Sequence, residues 1–491
     1  MGDAYDELLD HVRRRAHLRD ASTLLRWDQQ VTMPEGGAPA RSKQQSALSG
    51  VSHDIIASDD VGNLLEELAG EDLTGDRQAV VREVRRDHEE ATRVPGDLVE
   101  ELAETAAEAQ GVWQEAKADS DFDRFAPTLE RLRDLHVERA THVDPDRDPY
   151  RVMFEGVDPD ITLARVEEIF DDLRETLVPL LEEVRAADAD LAAPFDGEWG
   201  DDTQMALNRA AVADLGYDFE RGRLDTSPHP FTAGSQFDCR ITTRFKPGDP
   251  LDALMASIHE YGHASYQLGL PREAYGTPLG QARQEIHESQ SRFWENHVGR
   301  TRAFWEYFAP ALNDHLGTDL APREVYEAAN RVYPDNCIRV EADELTYHLH
   351  IILRTEIERE LVSGDLAVDG VPERWNGKME EYLGVRPEND AEGCLQDIHW
   401  TNRFAGFQSY TVGSVLAAQL DHAIREDLDD VDGLVREGEF EPLLEWMREH
   451  VHRHGQRYRV DELVERATGE PLTADYFLDY VEEKFATLYG L

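Results

Sequence analysis

Lysine is almost missing from this 491-residue chain. Only Lys43, Lys117, Lys246, Lys378 and Lys484 occur, so 45 of its 50 basic residues are arginine. Cysteine is as sparse, at Cys239, Cys337 and Cys394. An odd set of three argues against a disulfide framework and for a reducing compartment. No run of 18 apolar residues occurs, and the opening "MGDAYDELLDHVRRRAHLRD" has no apolar signal core. Neither a membrane span nor a secretory leader is expected. No basic stripe exists, which disfavours nucleic-acid binding. No repeat period or low-complexity tract divides the chain, although its length allows two or more domains.

Acid, by contrast, is abundant. Asp and Glu total 102, giving a formal net charge of -52. They spread through every segment, so this is not an acidic tail. Such a surface repels itself unless salt screens it. Screening shortens to about 3 Å at 1 M salt. The composition resembles that of cytoplasmic proteins from extreme halophiles, and a cytoplasmic location is expected. The alternative is a mesophilic acidic protein that binds basic partners.

Apolar residues recur at three- and four-residue spacing over 4–28, 96–118, 123–142, 161–187, 250–268, 280–298, 323–332, 340–362, 410–425, 440–453 and 473–488. The spacing predicts a mainly helical chain. Pro95, Thr162 and Pro250 mark helix starts. "MPEGGAPA", "HVDPDRDPY", "FDGEWGDD" and "LDTSPHPFTAGS" read as loops. One segment differs. In "QFDCRITTRF", residues 236–245, Phe237, Cys239, Ile241, Thr243 and Phe245 alternate with Asp238, Arg240, Thr242 and Arg244. That alternation predicts a short strand, either at a solvent-facing edge or lining a cleft.

"MASIHEYGHASYQLGLP", residues 255–271, places His259 and His263 four residues apart on one helix face. Asp249-Pro250 can open this helix and Gly269 can end it. Two buried neutral imidazoles at that spacing can share a zinc ion, and Glu260 beside them can take a proton from its water. Two ordinary core histidines are the alternative. A catalytic site needs a third protein ligand. Glu285, Glu288 and Glu295 in "GQARQEIHESQSRFWENHVGR" are candidates, and spacing does not choose among them.

"HEYGH" followed by "HESQSRFWENHVGR" resembles the Taq-type metallocarboxypeptidases, peptidase family M32. "LLRWDQQVTMPEGGAPARSKQQSAL", "HPF" at 229–231, "DCRIT" at 238–242, "IRVEADE" at 338–344 and "GCLQDIHW" at 393–400 resemble that family's further motifs, in its order. The resemblance implies a mainly α, single elongated domain over 1–491, similar to neurolysin and angiotensin-converting enzyme. It would have a deep groove and a small β-sheet near the metal. Residues 1–150 would form a helical part over the groove, and 225–425 the metal and substrate site. The third metal ligand falls on Glu288. "QARQE", between "GTPLG" and "IHES", departs from the smaller residues usual there and leaves the shape of that loop open.

The resemblance further implies a zinc-dependent metallocarboxypeptidase, usually a homodimer. It would hold one Zn²⁺ per chain, with Co²⁺ able to substitute, and release C-terminal residues from peptides with broad specificity. Glu260 would be the general base on a metal-activated water. Tyr410 and His229 are candidate oxyanion donors. Arg339 is the first candidate for the substrate carboxylate, followed by Arg240 and Arg403. The bland alternative is that Arg339 simply pairs with Glu341, Asp343 or another acid of this very acidic chain. Asp238 and Arg240 would border the site, where their strand could pair with an extended substrate. His399, with Asp397, would support it. An endo-acting or dipeptidyl zinc oligopeptidase is the nearest rival, and a catalytically silent zinc-binding protein is another.

Overall fold

Helices open where the sequence supplies caps. The side chains of Thr162, Asp249 and Thr301 accept from the N–H groups of Arg165, Asp252 and Phe304. These bonds satisfy donors that a first helical turn leaves unpaired. The structure, a computed structural model, describes residues 3–491. It is mainly helical with one three-stranded sheet. Several predicted helices are found within a few residues: Ala4–Val31, Gly96–Asp119, Phe122–Val143, Leu163–Ala186, Pro250–Gly269, Gln408–Asp427 and Asp475–Tyr489. None of the described helices is long and apolar enough to cross a membrane.

Elsewhere the pattern misleads. The segment 280–298 is not one helix. An α-helix runs over Gln284–Arg292 and passes into a π-helical stretch at Phe293–Gly299. The segment 340–362 becomes α-helical only at Tyr347. Before it, the Asp343 carboxylate accepts the N–H groups of Leu345 and Thr346 and holds a turn. Helices at Ala38–Ile56, Asp59–Ala69, Gly75–Arg93, Asp201–Asp214, Val371–Leu383 and Val460–Thr468 add to those predicted. Ala38–Ile56 begins inside the expected loop "MPEGGAPA". It buries only Arg41, Ile55 and Ile56, so it has no apolar stripe to read.

The sheet consists of β1 (Leu224–Thr226), β2 (Thr232–Gly234) and β3 (Cys239–Thr243). β1 and β2 lie in the stretch expected to be loop. β3 is central, parallel to β1 and antiparallel to β2, with Ile241 opposite both Leu224 and Thr232. It is therefore not an edge strand. Nor can it pair with a substrate, because both its neighbours are taken. Cys239, Ile241 and Thr243 are buried as expected, whereas Phe237 is 47% exposed. Thr242, expected on the polar face, is also buried and accepts the N–H of Phe231 at 2.9 Å.

The chain forms two compact units, each from three stretches. One unit comprises the chain up to Thr92, Leu191–Ala329 and Leu416–Leu472; the other comprises Arg93–Asp190, Asn330–Val415 and Thr473–Leu491. The first holds the sheet, the Pro250–Gly269 helix and the Gln284–Arg292 helix. The second packs helices around buried Phe125, Leu129, Leu173, Leu177, Ile351 and Ile352.

Candidate active site

Gly262 directly precedes His263 on the helix Pro250–Gly269. A Cβ there would stand 2.5 Å from the Gln290 carbonyl oxygen and the Ser291 Cα. The histidine helix and Gln284–Arg292 thus touch backbone to backbone, which glycine alone permits. The contact brings one ligand atom each from His259, His263 and Glu288 within 4.8 Å of one another. Glu288 Oε2 lies 3.8 Å from His259 Nε2 and 3.5 Å from His263 Nε2.

The other ring nitrogens fix the tautomers. His259 Nδ1 donates to Glu295 Oε2 at 2.9 Å, and His263 Nδ1 to the His287 carbonyl at 3.0 Å. A carboxylate and a carbonyl only accept, so each Nδ1 donates, and whenever the rings are neutral the lone pairs lie on the Nε2 atoms beside Glu288. Metal-ligating imidazoles need this support. His287 Nδ1 also meets His263 Nδ1 at 2.6 Å. Burial and the neighbouring His263 push His287 down to about 3, so it is neutral there. Burial disfavours charge on Glu288, but the Arg292 guanidinium, 2.9 Å from its Oε1, and His259 outweigh it. The carboxyl is held well below its usual range and is an anion, as a ligand must be. Glu295 is likewise held low against its burial, chiefly by Arg292. It sits on the Nδ1 side of His259, where it orients the ring. A divalent ion fits this donor set of two imidazoles and one carboxylate.

Glu260 is buried, at 6% exposure. Thr232 of β2 donates its hydroxyl to Glu260 Oε2 at 2.6 Å. Sequence reasoning missed Thr232, although it follows "HPF" directly. His229 is exposed between β1 and β2. Asp238 and Arg240 close on each other as a bidentate pair, at 2.9 and 2.7 Å, and Arg240 lies 4.3 Å over the Trp27 ring. The departing "QARQE" segment is pinned by Arg283. Its side chain is 1% exposed, donates to the Tyr458 carbonyl at 2.6 Å and pairs with Glu83 at 3.0 Å.

The remaining candidates lie together in the second unit. Arg339 is nearly buried, and its N–H donates to Gln396 at 2.8 Å. It does pair with an acid of the chain, Asp397 at 3.6 Å, rather than with Glu341 or Asp343. Burial works against its charge, yet Tyr347 and Asp397 hold its pKa above the ordinary value. His399 Nδ1 donates to Asp397 Oδ1 at 2.7 Å. Arg403 reaches the Tyr410 hydroxyl at 3.5 Å, and Tyr410 is half-buried.

Two imidazoles and a carboxylate from adjoining helices, beside a buried glutamate, define the donor set of a single-metal peptidase. The model of the family described as Carboxypeptidase Taq (M32) metallopeptidase matches residues 7–485. The chain is 36% identical to Carboxypeptidase 1 of Bacillus subtilis (strain 168), covering 99% of this chain and 98% of that one. The crystal structure of M32 carboxypeptidase from Deinococcus radiodurans R1 has a TM-score of 0.96 and 38% identity, covering 99% of this chain and 100% of that one. A Pyrococcus furiosus carboxypeptidase structure, described as apo-Mg, has a TM-score of 0.95 and 35% identity, covering 99% of each chain. The chain belongs to the carboxypeptidase Taq (M32) metallopeptidase family. It is a metallocarboxypeptidase, a hydrolase that uses a metal and acts on peptide bonds.

Proposed function

We propose that His259, His263 and Glu288 hold one zinc ion and that Glu260 is the general base of a broad-specificity, C-terminal-directed peptidase. The clustered donors carry this reading: both Nδ1 atoms are spent on fixed acceptors, and both Nε2 atoms converge on Glu288 Oε2, as ligands of one ion would. Nitrogen-rich sites of this kind suit Zn²⁺, with Co²⁺ as a substitute, better than Mg²⁺, which prefers oxygen. When bound, such an ion lowers the pKa of water from 15.7 to about 7 and polarises the scissile carbonyl.

Glu260 then takes the proton of the attacking water. Thr232 occupies its Oε2 and leaves Oε1 as the proton acceptor. The same carboxyl passes the proton to the leaving amine. His229 and Tyr410 are the proposed donors to the developing oxyanion. Arg339 is proposed to take the substrate's terminal carboxylate, supported by His399 and Arg403. Arg240 is closed on Asp238 in a bidentate pair, whereas Arg339 faces Asp397 at 3.6 Å, longer than a hydrogen bond. Arg339 also bonds Tyr347, and a guanidinium with five donors has others to offer an incoming fork-matched carboxylate.

A homodimer and a cytoplasmic, salt-rich setting complete the proposal. The family resemblance supports the first; three free cysteines and the acidic composition support the second. The test is turnover of an amino-blocked dipeptide before chelation, after it, and after zinc is restored. Loss and recovery are expected. Turnover that survives complete metal removal would end the proposal.

A further inference from the structure

Arg354 and Glu358 stand four residues apart on the helix Tyr347–Ser363, and both are fully buried. Arg354 Nη1 lies 3.2 Å from Glu358 Oε1. Buried ion pairs of this kind are poor sources of stability, and apolar replacements often serve as well. What each partner does with its remaining atoms is more telling.

Arg354 Nε donates to Asp397 Oδ2 at 2.9 Å, while the guanidinium lies 3.2 Å from the centre of the Trp400 ring. The other oxygen of Asp397 accepts both the backbone N–H and the ring Nδ1–H of His399, and it faces Arg339. Glu358 works at the opposite end of the same segment. Its Oε2 accepts the N–H of Ala405 at 2.9 Å and the Tyr150 hydroxyl at 3.3 Å. Ala405 has φ +54°, a left-handed conformation that a side chain disfavours and that needs outside support. One ion pair therefore holds the stretch 397–405 at both ends. Arg403 lies just inside the second tie, and Tyr410 opens the next helix.

We infer that Arg354 and Glu358 are positioning residues for recognition of the substrate carboxylate. Arg354 sets Asp397, and through it His399 and Arg339. Glu358 sets the Ala405 turn, and through it Arg403. The inference rests on the proposed role of Arg339, His399 and Arg403.

Arg354→Met in the full-length, metal-loaded enzyme tests it. With an amino-blocked dipeptide bearing a free terminal acid, KM should rise at least about tenfold, with kcat within about threefold and metal content unchanged. Residues acting as one unit give non-additive losses. In an Arg339→Ala background the same replacement should therefore raise KM by less than about threefold. Folded Arg354→Met enzyme with KM within about twofold of wild type would overturn the inference, as would, where Arg339→Ala by itself abolishes the preference for free acids, a full loss persisting in the Arg339→Ala background. Should Arg354→Met fail to fold, Arg354→Lys is judged by the same criteria, since it keeps the charge and loses the planar fork. If Arg339→Ala alone leaves the preference for free acids intact, Arg339 is not the carboxylate partner. A raised KM in Arg354→Met would then still support the clamp, acting through His399 and Arg403.

Discussion

Gly262 presses against the backbone of Gln290, and that contact sets the distance between the two histidines and Glu288. A Cβ at 262 would come within 2.5 Å of the Gln290 carbonyl oxygen. Alanine favours a helix over glycine by about 1 kcal/mol. Forcing a methyl group into packed backbone costs about 1–3 kcal/mol. The second effect should win, because neither atom in the way is the end of a flexible side chain. Gly262→Ala should lower the melting temperature and weaken metal binding at least about tenfold. Metal content after gel filtration, by mass spectrometry, checks this. Full stoichiometry at wild-type affinity would show that the helices separate without cost to the site.

Glu260 and Thr232 should separate chemistry from binding. A positioned general base contributes about 10²–10⁴-fold. Glu260→Gln should lose activity on that scale while keeping its metal. Thr232→Val removes the hydroxyl that holds Oε2 and should cost a smaller factor, about tenfold in kcat, with metal retained. Near-normal turnover in Glu260→Gln would remove it from the role of base.

The histidine helix was legible because its period, its Asp249 cap and its apolar surroundings all agree. Glu288 was not, since Glu285, Glu288 and Glu295 share one helical pattern. Only the resemblance chose between them. The π-helical turn at Phe293–Gly299 left no mark, because its side chains keep a helix-like spacing while the backbone widens. β1 and β2 have three residues each, too few to show alternation. The division into two units is equally hidden, since each draws on three distant stretches.

Asp158 gives a pH signature. It is 1% exposed, and burial pushes its carboxyl up to about 6 against the pull of Ser409 and Arg403. The ordinary value is 3.8. Between those two pH values the folded state keeps a proton that the unfolded state releases. Stability from this group is therefore full below about 3.8 and lost as pH rises through about 6, by roughly 3 kcal/mol in all. Asp158→Asn removes the titration. Its melting temperature should gain on wild type between pH 4 and pH 7. A constant difference across that range would show that Asp158 titrates normally.

Net charge sets a salt dependence. At about 0.1 M salt the screening length is still about 10 Å, so the acidic surface repels itself. The melting temperature and the rate on a blocked dipeptide should both rise between 0.1 and 2 M KCl, where the screening length is roughly 2–3 Å. A melting temperature that is flat over that range would rule out a salt-dependent fold.

Arg339 decides the direction of attack. A terminal carboxylate in a dry site needs a cationic partner, and a guanidinium matches it with two parallel donors. Arg339 is nearly buried and meets Asp397 at 3.6 Å, a looser pair than the bidentate one that commits Arg240 to Asp238. Removing one member of a buried charge pair costs about 2–5 kcal/mol. At about 1.4 kcal/mol per tenfold, Arg339→Ala should lower kcat/KM for free-acid peptides by roughly thirty- to several-thousand-fold. Metal content should not change, because the supports of the three clustered residues are Glu295, the His287 carbonyl and Arg292. The gap between free-acid peptides and their C-terminal amides should narrow, since an amide never made that contact. Wild-type enzyme cleaving both equally well would replace an exopeptidase with an endo-acting one. A preference for free acids that survives Arg339→Ala would move the carboxylate partner to Arg403 or Arg240. Arg403→Ala would then choose between them, because Arg240 must first release Asp238.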